Sequence, residues 1–437
     1  MIKAISKQRC YMITNKLNKH IVFLLFIVIV KTISPWSIIN LGGISSFWAI
    51  NSIVLFYIFS IKKRFYDTTN KRFDTIIFVF LIWNISAMVR GCFVAENYWE
   101  WKNLITMSFV FLLPLTIYFS THREMVQSIF NMYMKYMLPA FFLFILVMNE
   151  VAYGVYLIPV SFMLLFLPLL SQKWKIVMLA FTMIVILSSI EARSNVIKFV
   201  IALGFGMLYY LRPFVNEKIL RITRLFLLGL PFVLFTLAVS GTFNIFNISE
   251  YTEGEYTTNN TLGDEEDLTA DTRTELYVEV IGSAIKNEYV WFGRTYARGN
   301  DSVLFGEKIE ALTGTGKFER YSNEVSLLNI FTWTGLIGVI LYFIIFIRAS
   351  YLALYKSKSW FMKIIAVYVC FRWTYAWVED FSRFDLSYIC LWILIGMCYS
   401  LSFRSMTDGE FKYWVCGIFD IRYRKATLKK VRAIKQS

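Results

Sequence analysis

The stretches FVLFTLAVS, residues 232–240, and LLFLPLLS, residues 164–171, are apolar on every side and decide the class of the fold. A membrane β-barrel requires short strands of alternating polarity, which these stretches lack. A run of about 17 to 23 apolar residues crosses about 30 Å of hydrocarbon as a helix. Such runs recur along the 437 residues, so the sequence predicts an all-α integral membrane protein.

The composition supports this class. The chain is 57% hydrophobic and 17% charged, with a mean hydropathy of +0.55, whereas soluble domains carry roughly 25% charged residues. A soluble enzyme is therefore excluded. Hydropathy predicts about twelve transmembrane helices, and one large loop precedes the tenth. The predicted helices are centred near Val28, Leu55, Trp83, Leu112, Ile145, Leu164, Val185, Leu203, Leu234, Ile337, Tyr368 and Trp392.

The net charge is +15, but the basic residues are distributed along the chain as in a membrane protein. We therefore predict no nucleic-acid partner. Seven segments contain 31 of the 45 Lys and Arg residues, and the positive-inside rule places such segments in the cytoplasm with both termini. The segment 244–324 has seven basic and sixteen acidic residues, which indicates an extracytoplasmic loop. The seven basic segments are residues 1–20, 61–74, 121–135, 171–175, 211–224, 348–363 and 403–437.

These patterns divide the chain into four parts. Residues 1–243 form a bundle of about nine transmembrane helices, and residues 244–324 form the large loop with an amphipathic helix. Residues 325–403 add about three transmembrane helices, and residues 404–437 form a basic cytoplasmic tail. No cysteine lies in the large loop, and both histidines lie in predicted cytoplasmic segments. We therefore predict no disulfide framework, no metal site and no cofactor.

An amphipathic helix is predicted within the large loop. Thr272 and Glu275 match a capping box, and apolar residues follow at helical spacing up to Lys286. Arg273 lies at the helix start, where free N–H groups and a guanidinium both favour phosphate oxygens. The alternative is a surface arginine that pairs with a neighbouring carboxylate, Asp271 or Glu275.

Charged residues within or at the outer ends of the predicted transmembrane helices form a second signal. A charge at the bilayer centre costs about 2.5 to 3.5 kcal/mol, so each one needs a partner or a function. If the helix continues past Arg372, then Glu379 and Arg383 share its face and form a cationic stripe that suits an anionic lipid headgroup. Snorkelling and structural ion pairs are the alternative reading. The other residues in this group are Arg90, Glu191, Arg193 and Lys198.

Three stretches carry a resemblance to a known family. They are SSIEARSNVIKFVIALGFG (188–206), TRTELYVEVIGSAIKNEYVWFGR (272–294) and RYSNEVSLLNIFTWTGLIGVILYF (320–343). In the last stretch, a short polar group at Ser322–Glu324 precedes an apolar run with Gly335 and Gly338. The arrangement resembles the superfamily of O-antigen polymerases (Wzy-type) and O-antigen ligases, which are membrane glycosyltransferases. Ligases of this superfamily have a histidine in the outer loop, and its absence here favours a polymerase.

The resemblance implies a substrate and a reaction. The expected substrate is an undecaprenyl-diphosphate-linked oligosaccharide, which is polymerised at the periplasmic face of the bacterial inner membrane without a metal. Membrane lipid and a polysaccharide chain-length regulator are the other expected partners. O-antigen, capsule and exopolysaccharide remain alternatives for the product. A flippase or transporter of lipid-linked oligosaccharide is the alternative from another class; it requires charges along a path to the inner face.

The expected site residues follow from this chemistry. Guanidinium groups stabilise the negative charge that grows on the departing diphosphate, and a carboxylate accepts the proton of the attacking hydroxyl. Glu324 is the first candidate for this base and Glu191 the second, although Glu324 could equally pair with Arg320. The catalytic candidates are Glu324, Arg193 and Arg273, and the substrate-binding candidates are Arg90, Arg294, Arg298, Arg320, Asn323, Arg372 and Arg383.

Overall fold

The computed structural model is mostly helical, as the apolar runs predict. It describes residues 19–65, 73–188, 193–246, 257–259, 265–267, 273–420 and 422–424.

Among the described residues, six helices are long and apolar enough to cross a membrane. Each contains one of the twelve predicted centres, so half of the predicted transmembrane helices coincide with a helix of this length. The exposed side chains of these helices include many large apolar residues, as expected where a surface faces lipid. The six are α1 (Lys19–Trp36), α2 (Ile44–Phe65), α3 (Phe73–Val94), α4 (Tyr98–Leu112) with its continuation to Ser120, α12 (Glu217–Val239) and α15 (Ser326–Tyr355).

Five of the other predicted centres fall in shorter helices, and Ile145 lies just after a helix that ends at Phe144. Prolines begin several of these pieces, because proline lacks an N–H and is best tolerated in the first turn. A π-helical turn (Tyr133–Met137) separates α6 from α7. The shorter helices are α5 (Thr116–Ser120), α6 (Arg123–Met132), α7 (Leu138–Phe144), α8 (Val151–Tyr156), α9 (Ile158–Leu164), α10 (Gln172–Ser188), α11 (Arg193–Met207), α16 (Trp360–Tyr375), α17 (Leu386–Tyr399), α18 (Leu401–Arg404) and α19 (Asp408–Phe419).

Helix α16 lies at the centre of the bundle. It packs against α12, α15 and α17, and most of its side chains are buried. Trp333, Trp373 and Trp392, from α15, α16 and α17, are fully buried in the same core. A helix buried on all sides needs no amphipathic stripe, which explains why its sequence is apolar all round. Any charged group on this helix is therefore placed inside the protein.

The large loop has its own secondary structure. Strands β1 (Thr257–Asn259) and β2 (Glu265–Asp267) pair antiparallel. Helix α13 (Thr274–Lys286) ends where the sequence predicts, and Arg273 is its N-cap residue. Thr272, the predicted capping residue, lies outside the described residues. Helix α14 (Gly306–Thr313) lies between β3 (Asn300–Asp301) and β4 (Glu319–Arg320), which also pair antiparallel.

The returning helix α15 is broken at Gly335, and the loop fills the break. Gly335 has φ 70° and ψ −174°, a conformation that glycine adopts freely and other residues do not. The freed backbone groups pair with the segment 290–295: Arg294 N donates to Thr332 O at 2.6 Å, and Leu336 N donates to Val290 O at 2.8 Å. The loop backbone also passes so close to the helix that a Cβ on Gly335 would lie 2.2 Å from Trp291 O. Of the two glycines noted in this stretch, Gly335 and Gly338, the loop contact thus requires Gly335.

Candidate functional site

The segment 376–385, between α16 and α17, is the meeting point of the loop and the bundle. Arg273 Nε donates to Val378 O at 2.9 Å, and the Tyr277 hydroxyl donates to Trp377 O at 2.6 Å. Ser326 N, at the start of α15, donates to Glu379 O at 3.3 Å. The beginnings of α13 and α15 are therefore held against this segment by backbone carbonyls.

Arg372, in the last turn of α16, is a buried cation that pairs with no carboxylate of the described residues. It is 3% exposed, and its Nε and Nη2 atoms have no hydrogen-bond partner among the described residues. Its guanidinium carbon lies 4.4 Å from the ring centroid of Phe381. A buried charge with unmade hydrogen bonds destabilises a fold unless a ligand supplies them. Arg372 is thus a strong candidate for binding an anion.

Lys198 of α11 brings a second buried cation to this place. Its Nζ lies 3.5 Å from a carboxylate oxygen of Glu379, and Arg372 is close enough to interact with it electrostatically. The hydroxyl of Tyr375 donates to Ser194 O at 3.2 Å. This bond ties the start of α11 to the end of α16, and it places Ser194 beside the two cations.

Arg383 and Lys31 extend the positive charge toward α1. Arg383 lies 3.3 Å from Asp380 and is half exposed, whereas Asp385 is buried and caps α17 by accepting from Tyr388 N at 2.9 Å. Lys31 interacts electrostatically with Asp385 and Arg383. We call the five cations Lys31, Lys198, Arg273, Arg372 and Arg383 the cationic cluster; three carboxylates, Glu379, Asp380 and Asp385, lie among them.

The residues of the cationic cluster do not lie on one face of a single helix, as the predicted cationic stripe requires. Helix α16 ends at Tyr375, so Glu379 and Arg383 do not share a helix face with Arg372, and that prediction is wrong. Residues 376–385 instead turn back into the protein, because Asp380 accepts from Ser326 Oγ and Asp385 caps the next helix. From the sequence, Lys198 was included among the charged residues of the transmembrane helices. Asp380, Asp385 and Lys31, which also belong to this region, were not included.

Arg193 is the first residue of α11, next to Ser194, which Tyr375 contacts. The side chain of Arg193 lies outside the described part of the structure, and so does Glu191. The described backbone therefore brings position 193 close to the cationic cluster.

Arg294 and Arg298 lie in a separate group of ion pairs within the loop. Arg294 lies 2.8 Å from Asp301 and 3.2 Å from Glu319, and Arg298 Nε donates to Glu319 at 2.8 Å. The hydrogen bond to Glu319 raises the pKa of Arg298. Burial tends to raise the pKa of Asp301, but hydrogen bonds from Lys286, Asn287 and Arg294 outweigh it and lower the pKa to about 2. The charges of these two arginines are therefore balanced within the loop.

A lysine joins this loop to α4. Lys317 Nζ lies 2.6 Å from Glu100, which is fully buried, and 2.8 Å from Glu96, which is exposed. Arg90 adds a third attachment, since its Nη2 donates to Phe292 O at 2.7 Å. The contacts of Arg90, like those of Arg294 and Arg298, hold the loop in place.

Glu324 lies between the two groups. Arg320 Nη2 is 3.3 Å from its carboxylate, which is 54% exposed. Asn323 is buried and donates to Asn300 Oδ1 at 2.9 Å. Two residues after Glu324, Ser326 Oγ donates to Asp380 at 3.2 Å. Glu324 is thus paired with Arg320, as the alternative reading expects, yet its segment continues directly into the contact with residues 376–385.

An apolar cavity of about 400 Å³ opens beside the cationic cluster. It lies between α12 and α13, and Phe235, Tyr277 and Trp377 line it. Tyr277 and Trp377 also take part in the contact near Arg273. A site for polar, negatively charged groups therefore adjoins a surface that suits a hydrocarbon chain.

Within the described ranges, no group of three or more His, Cys, Asp and Glu residues is arranged to hold a metal ion. Comparisons of the chain with family models, with curated proteins and with solved structures gave no match.

Proposed function

We propose that the protein polymerises undecaprenyl-diphosphate-linked oligosaccharide repeat units into a surface polysaccharide. The observation that carries this proposal is Arg372, a buried guanidinium whose Nε and Nη2 lack partners in the described structure. A diphosphate supplies the negative charge and the acceptor oxygens that these nitrogens lack. Lys198, Arg273 and Arg383 add positive charge around the same place.

The reaction is a glycosyl transfer between two lipid-linked chains. A hydroxyl oxygen of the incoming repeat unit bonds to the anomeric carbon of the growing chain, and the bond from that carbon to the diphosphate breaks. The electron pair leaves with undecaprenyl diphosphate, and the hydroxyl proton passes to a base. Cations fixed in a poorly hydrated site stabilise the departing charge, and one such group accounts for about 10²- to 10³-fold in rate. This chemistry requires no metal.

We assign roles on the basis of contacts with residues 376–385 and of electrostatic interaction with Lys198. Arg372, Lys198 and Arg273 hold the diphosphate, and Arg193 and Arg383 complete its surroundings. Glu324 is the proposed base because its segment adjoins residues 376–385, and its exposure leaves it accessible to a sugar hydroxyl. Glu191 is the second candidate. Arg90, Arg294, Arg298, Arg320 and Asn323 support the loop over the site.

The apolar cavity beside Arg273 suits the lipid part of the substrate. Its lining is almost entirely apolar, and Val378, which accepts the hydrogen bond from Arg273, is part of it. We propose that the first isoprene units of the carrier lie here, so that the diphosphate meets the cationic cluster. Binding a polyprenyl chain buries apolar surface at roughly 25 cal/mol per Å².

The proposed topology is that of a protein in the bacterial inner membrane. We propose about twelve crossings, in which the shorter helices cross as well, with both termini in the cytoplasm and the large loop in the periplasm. A chain-length regulator is the proposed partner protein, and the product is an O-antigen or a related polysaccharide.

Two alternatives make different demands. An O-antigen ligase transfers a finished polymer, and its relatives carry a loop histidine that this chain lacks. A flippase needs charges along a path to the inner face, but the eight residues of α16 between Lys363 and Arg372 carry none. The ion-paired loop over the cationic cluster also favours a catalyst over a transporter.

A gel of surface lipopolysaccharide from a strain that lacks the gene tests this proposal. We expect lipid A core that carries a single repeat unit. Bare core would contradict a polymerase, and polymer that remains on its lipid carrier would then identify a ligase. An unchanged ladder would reject O-antigen as the product.

A further inference from the structure

A groove of about 1510 Å³ lies at the end of the bundle away from the cationic cluster. Helix α19 forms one wall, and its Phe411 stacks on Phe361, in the first turn of α16. Arg372 is in the last turn of α16, eleven residues away, or about 16 Å along a helix. The groove is thus remote from the proposed active site.

The charged residues that line this groove are mostly basic. Of the described residues that line it, six are cations and one is a carboxylate, Asp420, which is paired with Arg422 at 2.8 Å. The cations are Lys19, Lys135, Lys173, Lys412, Arg422 and Arg424. The four lysines are exposed, and no carboxylate of the described residues lies within 4.0 Å of any of them. Burial lowers the pKa of Arg424. Exposed lysines that line one groove and have no carboxylate partner there attract an anion.

The rest of the groove is apolar and opens toward lipid. Phe23 and Phe26 of α1 line it and are 56% and 45% exposed, and α1 is one of the helices long enough to cross a membrane. On the other side, Trp174 packs against Phe419 with ring centroids 4.4 Å apart. A positively charged rim that continues into an apolar wall matches a molecule with an anionic head and a hydrocarbon tail.

Residues from four of the basic segments line the groove. Its lysines belong to residues 1–20, 121–135, 171–175 and 403–437, four of the seven segments that the positive-inside rule places in the cytoplasm. The groove therefore lies at one membrane surface, where the cytoplasmic leaflet presents anionic headgroups.

We propose that this groove binds one anionic glycerophospholipid of the cytoplasmic leaflet. The phosphate lies among Lys135, Lys173 and Lys412, and an acyl chain follows Phe23 and Phe26 along α1. Charge complementarity selects this occupant over a segment of the chain itself. Residues 1–18 and 425–437, which flank the groove in sequence, contain nine Lys and Arg residues and no Asp or Glu, so they are repelled by its lysines.

Native mass spectrometry of the full-length protein in detergent tests the proposal. The protein is titrated with phosphatidylglycerol and with phosphatidylcholine of the same acyl chains. The test variant is Lys135→Gln/Lys173→Gln/Lys412→Gln. The matched control, Lys218→Gln/Lys356→Gln/Lys358→Gln, removes the same charge from exposed lysines of other basic segments.

We expect the native protein and the control variant to retain one phosphatidylglycerol in preference to phosphatidylcholine. In the test variant, affinity for phosphatidylglycerol falls by about a hundredfold, since a lysine near anionic lipid contributes about 1 kcal/mol. Equal affinity for the two lipids, or equal losses in both variants, would overturn the proposal. Displacement of the lipid by soluble glycerol phosphate at the same concentration would also overturn it, because the acyl chain would then contribute nothing. The readout is independent of glycosyl transfer.

Discussion

The Lys198 ammonium and the Glu379 carboxylate lie 3.5 Å apart in the protein, and the buried guanidinium of Arg372 is close enough to interact electrostatically with Lys198. In the described part of the chain, no carboxylate lies within ion-pair distance of Arg372 itself, and its Nε and Nη2 are unpartnered. Among the described residues, the cationic cluster therefore has five cations against three carboxylates, an excess of two positive charges. Such an excess is expected where a site is built to receive an anion.

Replacing Arg372 by Met should reduce activity and leave stability intact. Removing an unpaired buried charge is neutral or favourable for folding, whereas losing one stabilising group from the transition state slows the reaction about 10²- to 10³-fold. Polymer length in a complemented deletion strain measures the activity, and the melting temperature in detergent measures the stability.

Arg224→Met is the matched control for Arg372. Arg224 is equally buried, but it donates to Ser350 Oγ and Ile347 O at 3.0 Å each. We expect this control to lower the melting temperature because it leaves two acceptors without their donor. If Arg372→Met melts lower than the control and the surviving protein keeps full activity, then Arg372 is structural.

Glu100 and Glu96 should differ sharply although both bind Lys317. Glu100 is fully buried, so Glu100→Gln breaks a buried pair and costs about 3 kcal/mol. Glu96 is 72% exposed, so solvent screens its ion pair and Glu96→Gln should change the stability little. Denaturant or thermal unfolding of the two variants measures the difference. Equal costs would show that burial does not set the strength of this attachment.

Gly335→Ala should destabilise the return of the loop into the membrane. Its φ of 70° and the 2.2 Å approach of Trp291 O leave no room for a Cβ, and we expect a cost of at least about 2 kcal/mol. Gly229→Ala, within α12 and with no atom near its Cβ position, is the control and should gain up to about 1 kcal/mol. A melting temperature of Gly335→Ala equal to that of the native protein would contradict the broken-helix geometry.

Acid should remove the contribution of Asp301 to the loop. The pKa of Asp301 in the fold is about 2, below its ordinary value of 3.8. The carboxylate therefore stabilises the fold fully above about pH 4, and this stabilisation is lost as the pH falls toward 2. We expect the melting temperature of Asp301→Asn to lie below that of the native protein at pH 5 and to converge with it near pH 2. A constant difference over this range would contradict the assignment.

The sequence predicts the long helices well because apolar runs are a local signal. Six predicted centres, such as Trp83 and Ile337, lie in helices of sufficient length to cross a membrane. Shorter pieces such as α7 and α9 were predicted with less detail, since a π turn precedes α7 and a proline lies in the first turn of each. Gly335 was noted as part of a motif, but its role depends on a contact with Trp291, which no local pattern reveals.

The site was predictable where a single residue is anomalous. Arg372 in an apolar helix and Arg273 at a helix start are both visible in the sequence, and the structure brings both to residues 376–385. The pairing of Arg294 with Asp301 and Glu319 depends on the fold of the loop, so the sequence left its role open. The end of α16 at Tyr375 was missed, although the Asp385 cap of the following helix was a local signal of a new helix start.

Stoichiometry in a purified system tests the central claim most directly. The protein is reconstituted in vesicles with a radiolabelled undecaprenyl-diphosphate-linked repeat unit, and the lengths of the products and the free undecaprenyl diphosphate are measured together. The proposed function predicts a ladder of lipid-linked polymers, with one undecaprenyl diphosphate released for each new linkage and release about 10²- to 10³-fold slower for Arg372→Met. Movement of the repeat unit across the bilayer without any new linkage would contradict the account and identify a transporter.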